Sequence, residues 1–257
     1  MSVKDSSHLH KPVKDLGTVA LFYAGDIAVI VMDAGENRMN TVFTDKLSEL
    51  LDEVEGNTSC KGLITTAEGK FYSNGLDLER LQQYSTEQHK EFFKKLGALL
   101  MRLLLFPVPT LAAINGHAFA GGALLAIAHD LRTQRYDKGW LCFNEVFINR
   151  QFLNFHYPLM RTKIGSGINY TDAVTLGQKY TGSKSLEKGL IHAAPSASLL
   201  LPESLQLLKS FSGKSGYPRE SLRLMKADVY GDVIEQYKLD LENIDEMVNK
   251  FMRASKL

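Results

Sequence analysis

Apolar positions along the chain follow two different patterns. Residues 27–33 form a continuous run rich in β-branched side chains, which predicts a strand buried on both faces. Residues 62–66, 110–114 and 131–136 predict three further short strands. Residues 44–55 instead place leucine and valine at helical spacing, so an amphipathic helix is expected between the first two strands.

A second, longer helix is predicted between the second and third strands. Ser85 and Gln88 are spaced as a capping box, and an apolar stripe at helical spacing follows them. Pro107 and Pro109 end this helix, because proline has no N–H to donate to the helical ladder. One more helix is expected at about residues 121–129, after the third strand.

The alternation of strands and helices sets the predicted fold class. It favours βαβ units and therefore an α/β fold with a mainly parallel sheet. Strand signals fade after about residue 157, and residues 199–252 have the pattern of helices. We therefore divide the chain into a flexible segment at 1–16, an α/β core at 17–198 and a helical C-terminal region at 199–257.

Composition and charge narrow the function classes. The 257 residues are 44% hydrophobic and carry 30 Lys+Arg against 29 Asp+Glu, a balance that argues against a nucleic-acid partner. No apolar run approaches the length of a membrane span. The chain has no HExxH, no Cys/His cluster and no GxGxxG, so neither a metal nor a redox cofactor is predicted. Two cysteines, Cys60 and Cys142, are interpreted as buried thiols in a reducing compartment.

The last three residues suggest a destination. Ser255-Lys256-Leu257 matches the C-terminal tripeptide that directs proteins to peroxisomes. We expect the peroxisomal matrix as the location and the peroxisomal import receptor as a partner.

Candidate chemistry lies in two glycine-containing loops that follow predicted strands. The first spans residues 69–78 and the second residues 115–123. Backbone N–H groups at such a turn into a helix form an anion-binding corner, and two adjacent loops can hold one oxyanion between two donors. Glycine turns are common, so from the residues alone a purely structural role is at least as good an explanation.

The two loops together resemble the crotonase (enoyl-CoA hydratase/isomerase) superfamily. The motifs are Phe71 followed by Gly75-Leu76-Asp77, and Asn115-Gly116-His117-Ala118-Phe119-Ala120-Gly121-Gly122, in the family's order and spacing. The resemblance implies a crotonase-like spiral of ββα units with mainly parallel sheets and a helical C-terminal region. It also implies an acyl-CoA substrate, an oxyanion hole made by the N–H groups of Leu76 and Gly121, and a homotrimer or a dimer of trimers.

The acid/base residues separate the members of that family. Hydratases of this type use two glutamates, and here the first position is Leu124 while the second is Glu145. One retained glutamate is the pattern of Δ3,Δ2-enoyl-CoA isomerases, in which a single base moves a proton from C2 to C4. The second acid of a dienoyl-CoA isomerase would fall at Leu153, which argues against that activity.

The resemblance also implies substrate contacts and leaves alternatives open. Coenzyme A is expected as part of the substrate, with no separate cofactor. Its predicted contacts are Arg38, Asn40, Ser73, Asn74, Gly75, Asp77 and Gly122, and the predicted acyl pocket is Leu124, Phe152 and Phe155. Asp77 is also expected to cap the following turn, and His117 to point away from the oxyanion. The alternatives are another crotonase-type enzyme, such as a thioesterase or a weak hydratase, and a non-catalytic acyl-CoA-binding protein.

Overall fold

The centre of the molecule is a six-stranded sheet that is parallel over most of its width. The structure is a computed structural model and describes residues 8–9, 11–165, 167–212 and 215–254. Its strands are β1 (Lys14–Asp15), β2 (Val19–Ala24), β3 (Ile27–Met32), β4 (Gly62–Ala67), β5 (Phe71–Ser73), β6 (Thr110–Ile114), β7 (His117–Phe119), β8 (Leu131–Gln134) and β9 (Leu141–Cys142). The large sheet has the order β1-β2-β3-β4-β6-β8, in which β1–β3 are antiparallel and β3, β4, β6 and β8 run parallel.

Helices cover both faces of this sheet and form the C-terminal region. They are α1 (Thr41–Gly56), α2 (Leu78–Leu81), α3 (Thr86–Leu104), α4 (Gly121–Ile127), α5 (His156–Ile164), α6 (Ile168–Tyr170), α7 (Gly182–Glu187), α8 (Leu200–Ser212), α9 (Arg219–Val229), α10 (Gly231–Glu242) and α11 (Ile244–Ala254). A short 3₁₀-helix spans Glu145–Ile148, and a π-helical turn spans Thr171–Thr175.

Strand β3 explains the first continuous apolar run. All six of its residues are buried. Ala28, Ile30 and Met32 pack into the core that includes α1 and α3, while the alternate side chains pack against α8 on the other face. Because both faces of the strand are covered, none of its positions requires a polar residue.

A smaller parallel sheet, in the order β5-β7-β9, positions the two glycine loops. Strand β5 leads into α2, and β7 leads into α4. Since the two strands are parallel neighbours, their carboxyl ends and the loops that follow lie side by side.

The last helices return to the core. Helix α8 lies on β4, β6 and β8, whereas α10 contacts α5 and α3, and α11 contacts α3. Through these contacts α11 reaches the end of the small sheet where the loops lie, and contributes Phe251 to the site described below.

Candidate active site

The two glycine loops approach each other closely at the backbone. Gly75 has φ +78°, and a side chain there would lie 3.1 Å from the N atom of Gly121. A Cβ on Gly122 would lie 2.2 Å from the carbonyl oxygen of Ser73, so only glycine fits at that position. The loop after β5 is held from its other side, where Met39 N–H donates to Gly75 O (2.8 Å) and Asp77 N–H donates to Met39 O (2.9 Å).

This arrangement leaves two N–H groups free. Within the described residues, neither the N–H of Leu76 nor that of Gly121 is paired with an acceptor. Gly121 is the first residue of α4, where N–H groups have no partner inside the helix. Both residues line the same cavity. Two unpaired backbone donors on one cavity are suited to an oxyanion.

Ala120 carries backbone strain directly before the second of these donors. Its φ and ψ are 50° and −121°, a region that residues other than glycine rarely adopt and that costs about 1–3 kcal/mol. The Ala120 N–H donates to Cys142 O (2.9 Å), which ties this turn to β9. The strained residue thereby sets the direction of the Gly121 N–H.

Polar side chains around the loops mostly support the backbone. Asp77 caps α2 by accepting from Arg80 N–H (3.2 Å), as expected, and it also accepts from Asn40 Nδ2 (2.9 Å). Asn40 in turn caps α1. The Ser73 hydroxyl donates to Asn37 O (2.8 Å).

Two polar residues that line the cavity, Arg38 and Asn74, bind the same carboxylate, that of Glu36. Asn74 donates through Nδ2 to Glu36 (3.0 Å), and Arg38 forms an ion pair with the same carboxylate. The hydrogen bond from Asn74 and, next, that from Arg38 lower the pKa of Glu36. Arg38 and Asn74 line the cavity, so a polar part of a ligand can meet them there.

Glu145 supplies the carboxylate of the site. It is the first residue of the 3₁₀-helix after β9, and it is only 7% exposed. Its Oε2 atom has no hydrogen-bond partner among the described residues. Burial raises the pKa of this carboxyl from 4.5 to about 8, because water no longer stabilises the charged form. A pKa near neutrality suits a group that both takes and returns a proton.

The cavity itself has a volume of about 190 Å³ and mainly apolar walls. It brings together seven of the predicted site residues: Arg38, Asn74, Leu76, Gly121, Leu124, Glu145 and Phe152. Asn40, Ser73, Gly75, Asp77 and Gly122 do not line it, and they lie in the backbone framework behind the wall. Leu124, the position at which the resemblance implies a glutamate in hydratases, is part of the apolar wall.

Phe155, which was predicted to be part of the acyl pocket, does not line the cavity, whereas His156, which was also expected to line or floor that pocket, does. The N–H of Phe155 donates to Asp240 of α10 (2.9 Å), and its ring packs on Tyr237 at 5.3 Å between centroids. These contacts hold Phe155 against α10.

Sequence patterns did not assign several wall residues to the site. Phe93, Leu96 and Leu100 come from α3, and Phe251 comes from α11. Their only sequence signal is helical apolar spacing, which ordinary core packing produces equally well.

His117 packs within the second loop, between Phe119 (5.1 Å) and Trp140 (5.0 Å), and does not line the cavity. Both cysteines are buried free thiols, and burial raises the pKa of Cys142 to about 11. Across the described ranges, no three His, Cys, Asp or Glu side chains are grouped as metal ligands. No described helix is long and apolar enough to cross a membrane.

Comparisons with known proteins agree on one family. The family model for enoyl-CoA hydratase/isomerase matches residues 23–255. Enoyl-CoA delta isomerase 3 of Arabidopsis thaliana is 29% identical over 228 residues, covering 86% of this chain and 95% of that protein. The peroxisomal enoyl-CoA delta isomerase 2 of the same plant is 34% identical over 181 residues, covering 66% and 74%.

Solved structures share the fold at lower identity. Human mitochondrial delta3-delta2-enoyl-CoA isomerase superposes with a TM-score of 0.81 at 20% identity, over 93% of this chain and 95% of that one. An enoyl-CoA hydratase of Mycobacterium ulcerans also gives 0.81, at 21% identity, over 90% and 99%. Both isomerases and hydratases are thus among the similar folds.

Proposed function

Since the chain belongs to the enoyl-CoA hydratase/isomerase family, we propose that it converts Δ3-enoyl-CoA esters to trans-Δ2-enoyl-CoA in the β-oxidation of unsaturated fatty acids. The family membership agrees with the resemblance found in the two glycine loops and supports an enzyme that acts on enoyl-CoA. The finer assignment rests on one observation: the apolar cavity contains one carboxylate, Glu145, among the residues that line it.

The proposed reaction uses the two free N–H groups and this carboxylate. The thioester oxygen accepts hydrogen bonds from Leu76 and Gly121, each of which lowers the barrier by roughly 3 kcal/mol as the enolate forms. Glu145 takes the proton from C2, the electron pair moves into the dienolate, and the C3–C4 double bond shifts to C2–C3. The protonated Glu145 then returns the proton to C4, so no atom is gained or lost.

Leu124 favours isomerisation over hydration. Adding water across the double bond requires a second acid/base group to place and activate the water. Leu124 occupies that position and contributes only apolar surface to the cavity. A thioesterase, a weak hydratase or a non-catalytic acyl-CoA-binding protein are the rival functions, and the experiment below separates them.

The acyl-CoA binds in this proposal with its thioester at the glycine loops and its acyl chain against Leu124 and Phe152. Coenzyme A is part of the substrate, and no separate cofactor takes part. Arg38 and Asn74 at the mouth meet polar parts of the CoA moiety. The other predicted contacts, which are Asn40, Ser73, Gly75, Asp77 and Gly122, act by holding the backbone of the two loops in place.

A peroxisomal location and an oligomer belong to the same proposal. Ser255-Lys256-Leu257, the proposed import signal, lies outside the described residues, and two relatives from Arabidopsis thaliana are named as peroxisomal. The proposed trimer, or dimer of trimers, is supported by exposed apolar side chains beside the site. They include Val146, Phe147, Ile148 and Leu176.

Isomerisation of 3-hexenoyl-CoA and 3-decenoyl-CoA, followed as formation of the conjugated 2-enoyl thioester, tests the function. Glu145→Gln should lower the rate of the wild-type enzyme by about a hundredfold or more. Glu235→Gln, at an exposed glutamate on α10, is the matched control. A wild type that binds CoA esters without turnover would support the non-catalytic function. Hydration of crotonyl-CoA or release of free CoA at a higher rate would support the hydratase or the thioesterase.

A further inference from the structure

His156 is one of the polar side chains that line the cavity containing Glu145. It is the first residue of α5, is buried, and lines the cavity. Three buried polar atoms of this lining have no hydrogen-bond partner within the described residues: Asn144 Oδ1, Glu145 Oε2 and His156 Nε2. Buried polar atoms are nearly always paired in folded proteins, so three on one cavity indicate groups that are paired when the site is occupied.

The unpaired atom of His156 is a donor. Leu153 N–H donates to His156 Nδ1 (3.3 Å), which places the ring proton of a neutral imidazole on Nε2. Burial lowers the pKa of His156 to about 3, so the ring is neutral at physiological pH. Edge contacts with Phe155 (4.3 Å between centroids) and Phe152 (6.3 Å) fix the ring orientation.

None of the described charged groups around Glu145 donates a hydrogen bond to its Oε2 atom in place of His156. Arg150 donates to Phe251 O (2.9 Å) and stacks on the Phe251 ring. Lys250, whose positive charge adds to the lowering of the His156 pKa by burial, donates to Asn154 Oδ1 (3.0 Å).

Lys179 stacks on the Trp140 ring, and its charge partly offsets the rise in the pKa of Cys142 that burial causes. Tyr157 is half-buried near Glu145. None of the described cations forms an ion pair with the Glu145 carboxylate.

We propose that His156 is a positioning residue for Glu145: its Nε2–H donates to Oε2, directly or through one water shared with Asn144 Oδ1, when the acyl chain occupies the cavity. The inference rests on the proposed isomerase function. One carboxylate oxygen is then held, and the other is free to carry the proton from C2 to C4. A hydrogen bond to the ionised carboxylate favours that form, so His156 increases the fraction of active base near neutral pH.

The test compares the pH dependence of kcat for 3-hexenoyl-CoA, which reports groups in the enzyme–substrate complex, in wild type, His156→Phe and His156→Gln. Phe fills similar space without a donor, whereas the Gln amide restores an N–H near the position of Nε2. In His156→Phe we expect the midpoint of the acidic limb of kcat to rise by about one pH unit and kcat at pH 7 to fall about tenfold. His156→Gln should return both values most of the way to wild type.

Two controls separate the loss of the proposed hydrogen bond to Glu145 from a general loss of folding. His129 is a buried histidine that bonds Thr65 and Leu125 O and does not line the cavity. His129→Phe should lower stability without moving the acidic limb. Binding of hexanoyl-CoA at pH 5, where Glu145 is protonated and the proposed bond to the ionised carboxylate is absent, should stay within about threefold of wild type in each His156 variant.

An acidic limb that His156→Phe does not move, in a variant that still binds hexanoyl-CoA, overturns the inference, and so does a Gln variant that behaves like Phe. If the His156 variants do not fold, ¹⁵N-histidine NMR of the wild type decides. The expected result is an Nε2-protonated ring whose proton shifts downfield on binding hexanoyl-CoA, and an Nδ1-protonated ring contradicts it. An inert wild type would instead overturn the proposed isomerase itself.

Discussion

Replacing the buried carboxylate of Glu145 by an amide should stabilise the protein at high pH. Glu145 is 7% exposed, and its Oε2 has no partner within the described chain. Burial raises its pKa from 4.5 to about 8, so the folded state binds this proton more tightly than the unfolded state. The stabilising contribution of the protonated group is fully present below pH 4.5. It is lost as pH rises towards and through 8.

The size of the effect follows from the two pKa values. At about 1.4 kcal/mol for each unit of pKa, full ionisation of Glu145 costs the folded state roughly 5 kcal/mol. Between pH 5 and pH 8 the loss is roughly 3 kcal/mol, and Glu145→Gln has no such loss. For a chain of this length, that corresponds to about 6–12 °C in Tm.

Urea unfolding of wild type and Glu145→Gln at pH 5, 6, 7 and 8 measures this directly. The free energy of unfolding of the variant should exceed that of wild type by an amount that grows with pH, while Glu235→Gln should track wild type at every pH. Using the difference between two proteins cancels the titration of all other groups. A difference that stays constant from pH 5 to pH 8, or that decreases, would show that the buried carboxylate is already stabilised and that its pKa is not raised.

Three further changes have expected outcomes. Ala120→Gly should raise the free energy of unfolding by about 1 kcal/mol in urea titrations, because glycine adopts the φ of 50° without strain; a loss of stability would contradict the strain. Lys226→Met should lower the free energy of unfolding by about 3 kcal/mol, because Asp130 loses its 2.6 Å ion pair. Adding Asp130→Asn should recover part of that loss, measured by the same urea titrations. Leu124→Glu should raise hydration of crotonyl-CoA about tenfold, measured as loss of the conjugated thioester, because it adds a second carboxylate to the cavity that holds Glu145; unchanged hydration would mean that the two carboxylates do not reach a common water.

Several of the strand and helix predictions agree with the structure. The run at 27–33 is β3 and the capping box at Ser85 begins α3, both confirmed. The predicted fourth strand at 131–136 is shorter than expected and ends at Gln134. Strands β1, β5, β7 and β9 were missed because they have only two or three residues, too few for a periodic signal. Strand β2 (Val19–Ala24) was also missed, although it has six residues.

The sequence by itself determined the fold class and the order of the two glycine loops, because these depend on residue identity and spacing along the chain. The prediction of one glutamate in place of two came from the resemblance to the crotonase superfamily. The tertiary structure showed which of the predicted residues share the cavity and added wall residues that had not been predicted. Phe93 and Phe251 line the cavity of Glu145 from distant helices, and the hydrogen bond from Phe155 N–H to Asp240 holds Phe155 outside the lining. The raised pKa of Glu145 likewise comes from burial by residues far away in the chain. Desolvation and contact depend on distances in space, and local sequence patterns do not encode those distances.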